Sequence, residues 1–162
     1  MSITFNADEI FEMAEEIERN GAAFYRSAAE KASDGDVKQF LVDMATMEDG
    51  HEVTFTNMRK ELSAADKEST SFDPYDEAAL YLQSMADAHG TEGKISTTVE
   101  LSGDESMKDI FNIAINAERN SVCFYVGLKE LVPSASGKER VDKIIKEELA
   151  HIATLQNKLA SL

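Results

Sequence analysis

The chain has 162 residues, 43% of them hydrophobic, which is enough to bury the core of one domain without disulfides or metal staples. Its formal charge of −15 excludes nucleic acid, whose phosphates need Lys and Arg, and anionic membrane surfaces. Cations are the natural partners of such a field. The single cysteine, Cys123, excludes an internal disulfide and suits a reducing compartment. The first 20 residues show no basic n-region and no apolar h-region, and no run nears the roughly 18 apolar residues of a membrane span. A cytoplasmic protein is expected.

Four long segments carry the helical period. The first, about 7–32, aligns Ile10, Ala14, Ile17, Gly21, Phe24 and Ala28, with Phe11, Glu18 and Tyr25 on its flank. The second, about 35–62, follows Asp34 as N-cap and reads Val37, Leu41, Met44, Glu48, His51, Phe55, Met58, Leu62. Residues 63–103 differ: Ser, Thr, Asp and Gly dominate, and 74–89 have the pattern of a short helix. The third segment, about 104–132, reads Met107, Phe111, Ala114, Glu118, Ser121, Tyr125, Leu128 and stops before Pro133. The fourth, about 136–160, reads Val141, Ile144, Glu148, His151, Leu155, Leu159.

Short links join the first to the second segment and the third to the fourth, so each pair should form an antiparallel hairpin. The long crossover at about 63–103 lets the third helix start at the same end as the second. The expectation is an all-α four-helix bundle of two hairpins.

The halves repeat at an offset of 100. Ile10, Phe11, Ala14, Glu18, Arg19, Asn20, Phe24, Tyr25 and Glu30 recur as Ile110, Phe111, Ala114, Glu118, Arg119, Asn120, Phe124, Tyr125 and Glu130. Glu48, His51, Thr54 and Asn57 recur as Glu148, His151, Thr154 and Asn157. One fixed offset indicates duplicated hairpins, whose matched residues should converge on a two-fold axis.

Polar residues inside the apolar stripes carry the chemistry. A lone buried carboxylate is costly unless paired or bound to metal, yet each helix places one on its stripe: Glu18, Glu48, Glu118, Glu148. On the second and fourth helices a histidine follows one turn later, His51 and His151. With 19 glutamates and three histidines, roughly 0.35 Glu-x-x-His matches arise by chance. Two copies, both on apolar faces and both obeying the repeat, exceed that.

Buried ion pairs are the competing explanation, but the stripes hold no Lys or Arg, and Arg19 and Arg119 lie about 100° around the helix. Two divalent cations balance four carboxylates. Oxygen ligands with two imidazoles suit iron or manganese better than a thiolate zinc site, although zinc also accepts them. In bundles of this kind two helices give one Glu each and two give Glu-x-x-His. Glu48 and Glu148 then bridge the metals, while Glu18 with His51 and Glu118 with His151 terminate them.

Other candidates are weaker. Glu147 lies one turn before His151, but the repeat selects Glu148, since position 47 is Met. Glu12, Glu15 and Glu16 are expected on a solvated face, His89 on the surface and Cys123 as a small core residue. Tyr25 and Tyr125, two turns past Glu18 and Glu118, either donate hydrogen bonds to the ligands or pack in the interior.

The chain resembles the rubrerythrin branch of the ferritin-like superfamily. The likeness rests on Glu18 with Tyr25, Glu48-Asp49-Gly50-His51, Glu118, and Glu148-Leu149-Ala150-His151, and it covers most of the chain. It implies one ferritin-like domain over 1–162, two iron ions per chain, and assembly as a homodimer or larger homo-oligomer. Two features depart from the family. Its further glutamate, three residues after that of the third helix, is Ser121 here. The rubredoxin domain with its Cys-x-x-Cys pairs is missing, so electrons would come from a separate donor such as a rubredoxin-like protein.

The leading expectation is a non-haem di-iron oxidoreductase that reduces peroxide or dioxygen. The alternatives are a ferroxidase or iron-storage protein and a metal-stabilised scaffold without activity.

Overall fold

The computed structural model describes residues 6–68 and 101–162. Four long helices dominate: α1 (Ala7–Lys31), α2 (Gly35–Lys60), α4 (Met107–Leu131) and α5 (Ala135–Ala160), with a short α3 (Ala64–Glu68) after α2. The helix expected at 74–89 and His89 lie outside the described residues.

The helix ends show why the chain turns where it does. Asn6 and Ser106 each accept a hydrogen bond from the third backbone N–H of their helix, and Glu9 and Asp109 reach back to the cap N–H. Asp34 and Ser134 cap α2 and α5 through Val37 N and Gly137 N. At the other ends Ala32 and Val132 return to extended backbone, each N–H bonding to the carbonyl three residues back. Starts, stops and caps all recur 100 residues apart, so the duplication governs boundaries as well as faces.

The third segment begins later than its periodicity predicts. Residues 102–105 form a turn in which Glu105 accepts from the N–H groups of Ser102 and Gly103, and Gly103 takes a positive φ of 104°, which a residue without Cβ adopts readily. Periodicity alone also runs past the end of α2 to Leu62. The chain stops at Lys60 and restarts in α3, held by mutual hydrogen bonds between Ser63 and Asp66.

Helix α1 packs along α2 and α4 along α5, and the hairpins meet through α1 with α4 and α2 with α5. Tyr25 reaches Glu118 while Tyr125 reaches Glu18, so α1 and α4 run antiparallel and α4 runs parallel to α2. The end of α2 and the start of α4 therefore stand at opposite ends of the bundle.

Two apolar clusters fill the interior. One gathers Phe11, Phe55, Tyr125, Leu128 and Val141; the other gathers Phe111, Tyr25, Ala28, Leu41 and Leu155. These are the same positions exchanged between halves. Each buried aromatic or leucine contributes about 1.5–3 kcal/mol by leaving water. Between the two plugs, at mid-bundle, the core becomes polar.

Candidate metal centre

All six acidic and imidazole residues of the stripes are buried, Glu148 completely. The 3.6-residue period puts Glu48 and His51, like Glu148 and His151, one above the other on an inward face. Glu18 and Glu118 arrive from α1 and α4 opposite them.

They form two overlapping groups. Glu18, Glu48, His51 and Glu148 each offer an atom within 4.8 Å of the others, and so do Glu48, Glu118, Glu148 and His151. Glu48 and Glu148 belong to both. Donors about 2.0–2.2 Å from one cation lie at most about 4.4 Å apart, so small side-chain shifts bring each group to coordination distance.

Both rings turn Nδ1 inward. His51 Nδ1 is 2.8 Å from Glu148 Oε1, 3.4 Å from Glu18 Oε2 and 3.7 Å from Glu48 Oε2. His151 Nδ1 is 3.0 Å from Glu148 Oε2, 3.4 Å from Glu48 Oε1 and 3.8 Å from Glu118 Oε1. The rings stack with centroids 5.6 Å apart.

Despite this crowding, Glu18 Oε2, Glu48 Oε1, His51 Nδ1 and Glu148 Oε1 make no well-aligned hydrogen bond among the described residues, even though His51 Nδ1 and Glu148 Oε1 stand 2.8 Å apart. Buried polar atoms are normally paired, and an orphan costs about 1–3 kcal/mol. Four orphans aimed at common points fit cations better than they fit one another.

The electrostatics split the carboxylates in the same way. Burial, above all, lifts Glu18 and Glu118 well over the usual carboxylate range. Burial acts upward on Glu48 and Glu148 too, but the imidazoles beside them outweigh it and hold both below that range. The reciprocal effect raises both histidines against their desolvation. His151 is pushed up to about 12 by Glu118, Glu148 and Glu48, and His51 is raised by Glu148, Glu18 and Glu48. The two shared glutamates are thus the anionic centre.

Both tyrosines donate hydrogen bonds to carboxylates, and they do so crosswise. Tyr25 Oη bonds to Glu118 Oε1 and Tyr125 Oη to Glu18 Oε1. Each tyrosine also serves as core, edge-on to Phe24 or Phe124, so the two roles that the sequence leaves open coexist.

Two expectations need correction. Glu15 is buried instead of solvated; it pairs with Arg59 at 3.5 Å, on the α1 face toward α2. Of its companions, Glu12 is exposed and Glu16 half-buried. Cys123 is exposed because it shares a 3–4 stripe with exposed Arg119, Val126 and Glu130. Glu147 stands outside both four-residue groups but accepts from the outer nitrogen of His51 (Nε2 to Oε2 3.0 Å). Only the packing of α5 on α2 reveals that contact.

Ser121 is buried and turns its hydroxyl to the Ala117 carbonyl at 3.2 Å. With Ile17, Gly21, Tyr25, Glu48 and Glu118 it borders a cavity of about 20 Å³, room for one water-sized molecule. A Cβ on Gly21 would sit 3.5 Å from Glu48 Cγ and narrow that space.

Comparison with known proteins identifies the fold and the family. Two solved structures share the fold. One is described as a ferritin-like diiron-carboxylate protein from Thermotoga maritima, with TM-score 0.72 and 21% identity over 97% of this chain and 96% of that one. The other is a manganese catalase, KatB, from Anabaena PCC7120, with TM-score 0.66 and 18% identity over 99% of this chain and 76% of that one. The bundle is therefore ferritin-like. No curated protein matches the chain. Among the described residues no helix is long and apolar enough to cross a membrane. The model of the rubrerythrin family matches residues 9–159, and the chain belongs to the rubrerythrin family.

Proposed function

We propose that the chain, acting as one domain over 1–162, is a di-iron oxidoreductase that reduces hydrogen peroxide, with dioxygen as a second oxidant. Glu18 and His51 would hold one ion and Glu118 and His151 the other, with Glu48 and Glu148 available to both. The observation that carries this reading is the sharing of those two glutamates between the two four-residue groups. Family membership and the metals named for the two structural neighbours support a binuclear centre. Four carboxylates with two imidazoles favour iron or manganese.

Bound in its reduced form, the pair supplies two electrons that, with two protons, convert one peroxide to two waters. The protein's own part is positional. Tyr25 and Tyr125 hold Glu118 and Glu18 in place by hydrogen bonds. The apolar clusters above and below exclude bulk water, which strengthens every electrostatic interaction between them. The cavity at Gly21 and Ser121, with room for one water-sized molecule, touches Glu48 and Glu118. A separate donor such as a rubredoxin-like protein returns the electrons.

The test is peroxide consumption by iron-loaded protein with an artificial reductant, beside the Glu48→Ala variant. Turnover in the wild type, lost in the variant, is expected; equal rates overturn the activity. Deposition of ferric iron well beyond two per chain, without sustained peroxide turnover, assigns the protein to iron oxidation and storage instead.

A further inference from the structure

The duplicated site is not symmetric around its histidines. On one side, His51 Nε2 lies 3.0 Å from Glu147 Oε2. The residue matched to Glu147 in the other half is Met47, half-exposed, whose thioether is only a weak acceptor. Among the described residues no carboxylate pairs with His151 Nε2, although both rings turn Nδ1 toward the shared Glu148. Glu147 itself is partly exposed, and its other oxygen lies 3.7 Å from the Nζ of exposed Lys143.

We propose that Glu147 is a positioning residue that makes the two metal positions unequal, so that the Glu18/His51 position binds its ion more tightly than the Glu118/His151 position. The inference rests on the two-metal reading above and deepens it. With an ion on Nδ1 of His51, the ring proton sits on Nε2 and is donated to Glu147. A carboxylate acceptor there fixes the tautomer and ring orientation and makes Nδ1 a stronger donor; losing such a partner typically weakens metal affinity by about 10–100-fold. No described carboxylate pairs with His151 Nε2, so its ion lacks that gain.

The experiment is an anaerobic calorimetric titration of metal-free full-length protein with Fe(II). Wild type is expected to show two unequal dissociation constants. Glu147→Met, which copies the other half, should weaken the tighter step by about 10–100-fold and leave the weaker one in place. Met47→Glu should tighten the weaker step, and the double exchange should invert the preference. Glu147→Asp should retain part of the difference. In a His51→Ala background, Glu147→Met should change nothing further, whereas in His151→Ala its full effect should persist.

Two ions bound with equal constants in the wild type overturn this proposal alone. So does a Glu147→Met effect that falls equally on both steps or survives His51→Ala, since that marks a diffuse charge effect. Failure of the wild type to bind a second ion overturns the two-metal reading, and this inference with it.

Discussion

The α1–α2 and α4–α5 hairpins have the same helix lengths, the same cap positions and the same buried Glu and Glu-x-x-His residues, yet they treat one matched pair of positions in opposite ways. In the first hairpin Glu15 and Arg59 form an ion pair that also draws in Asp8 at 2.9 Å and Glu12 at 3.4 Å. In the second the matched residues are Ile115, buried, and Leu159, half-buried. Where the halves must agree, at positions 18, 48 and 51 and their counterparts, they do. Where a contact serves only to hold two helices together, an ion pair and an apolar pair are alternative solutions. The lesson is that the polar stripe positions stay identical across the repeat, whereas a contact that only joins two helices is free to diverge.

Several substitutions sharpen that contrast. The largest effect should come from removing a shared glutamate. Glu48→Ala touches both four-residue groups and should abolish binding of both ions, while Glu18→Ala, which touches one, should leave roughly one ion per chain. Iron content after anaerobic loading and desalting checks this. If Glu18→Ala empties the protein as thoroughly as Glu48→Ala, the division into shared and terminal ligands is wrong.

Next in size are the matched core positions Phe55 and Leu155, both fully buried. Phe55→Ala should lower stability by about 3–5 kcal/mol and Leu155→Ala by about 2–5 kcal/mol, read from urea unfolding of the metal-free protein. Exposed Val53→Ala should stay within about 0.5 kcal/mol. The ion pair should matter less. Arg59→Leu leaves Glu15 buried and unpaired and should cost about 1–3 kcal/mol. The double change Glu15→Ile with Arg59→Leu, which copies the second hairpin, should recover most of that. No recovery would show that the halves are not interchangeable here.

Acidity should act on the centre in a known direction. In metal-free protein the neighbouring carboxylates hold His51 and His151 protonated far above the ordinary imidazole range, so each ion must displace a proton. Affinity for Fe(II) should rise with pH, by about tenfold per unit for each proton displaced, and loading should release protons to the buffer. Affinity independent of pH between about 6 and about 7 would contradict the assigned protonation.

Much of this was legible in the sequence because it is written in period and offset. Apolar spacing gave four helices to within a few residues, since burial of a stripe dictates helical phase. The repeat separated Glu48 and Glu148 from adjacent acids, and the six polar stripe residues do converge. What stayed hidden depends on contacts between elements. The burial of Glu15 follows from Arg59 standing across from it on α2. The role of Glu147 follows from α5 lying against α2, and a comparison of positions 47 and 147 shows only that they differ. The crosswise tyrosine bonds needed the antiparallel run of α1 and α4. Residue type alone favours a core position for Cys123, but its helical phase sets it with exposed Arg119 and Glu130. The turn at Gly103 and the short α3 depend on Ser–acid side-chain caps, which periodicity does not register.

The most direct measurement is anomalous diffraction at the iron edge from crystals of anaerobically iron-loaded protein. Two peaks per chain are predicted, one about 2.0–2.2 Å from donors of Glu18 and His51, the other as far from those of Glu118 and His151, with Glu48 and Glu148 reaching both. A single peak, or peaks lying away from these six side chains, would contradict the account.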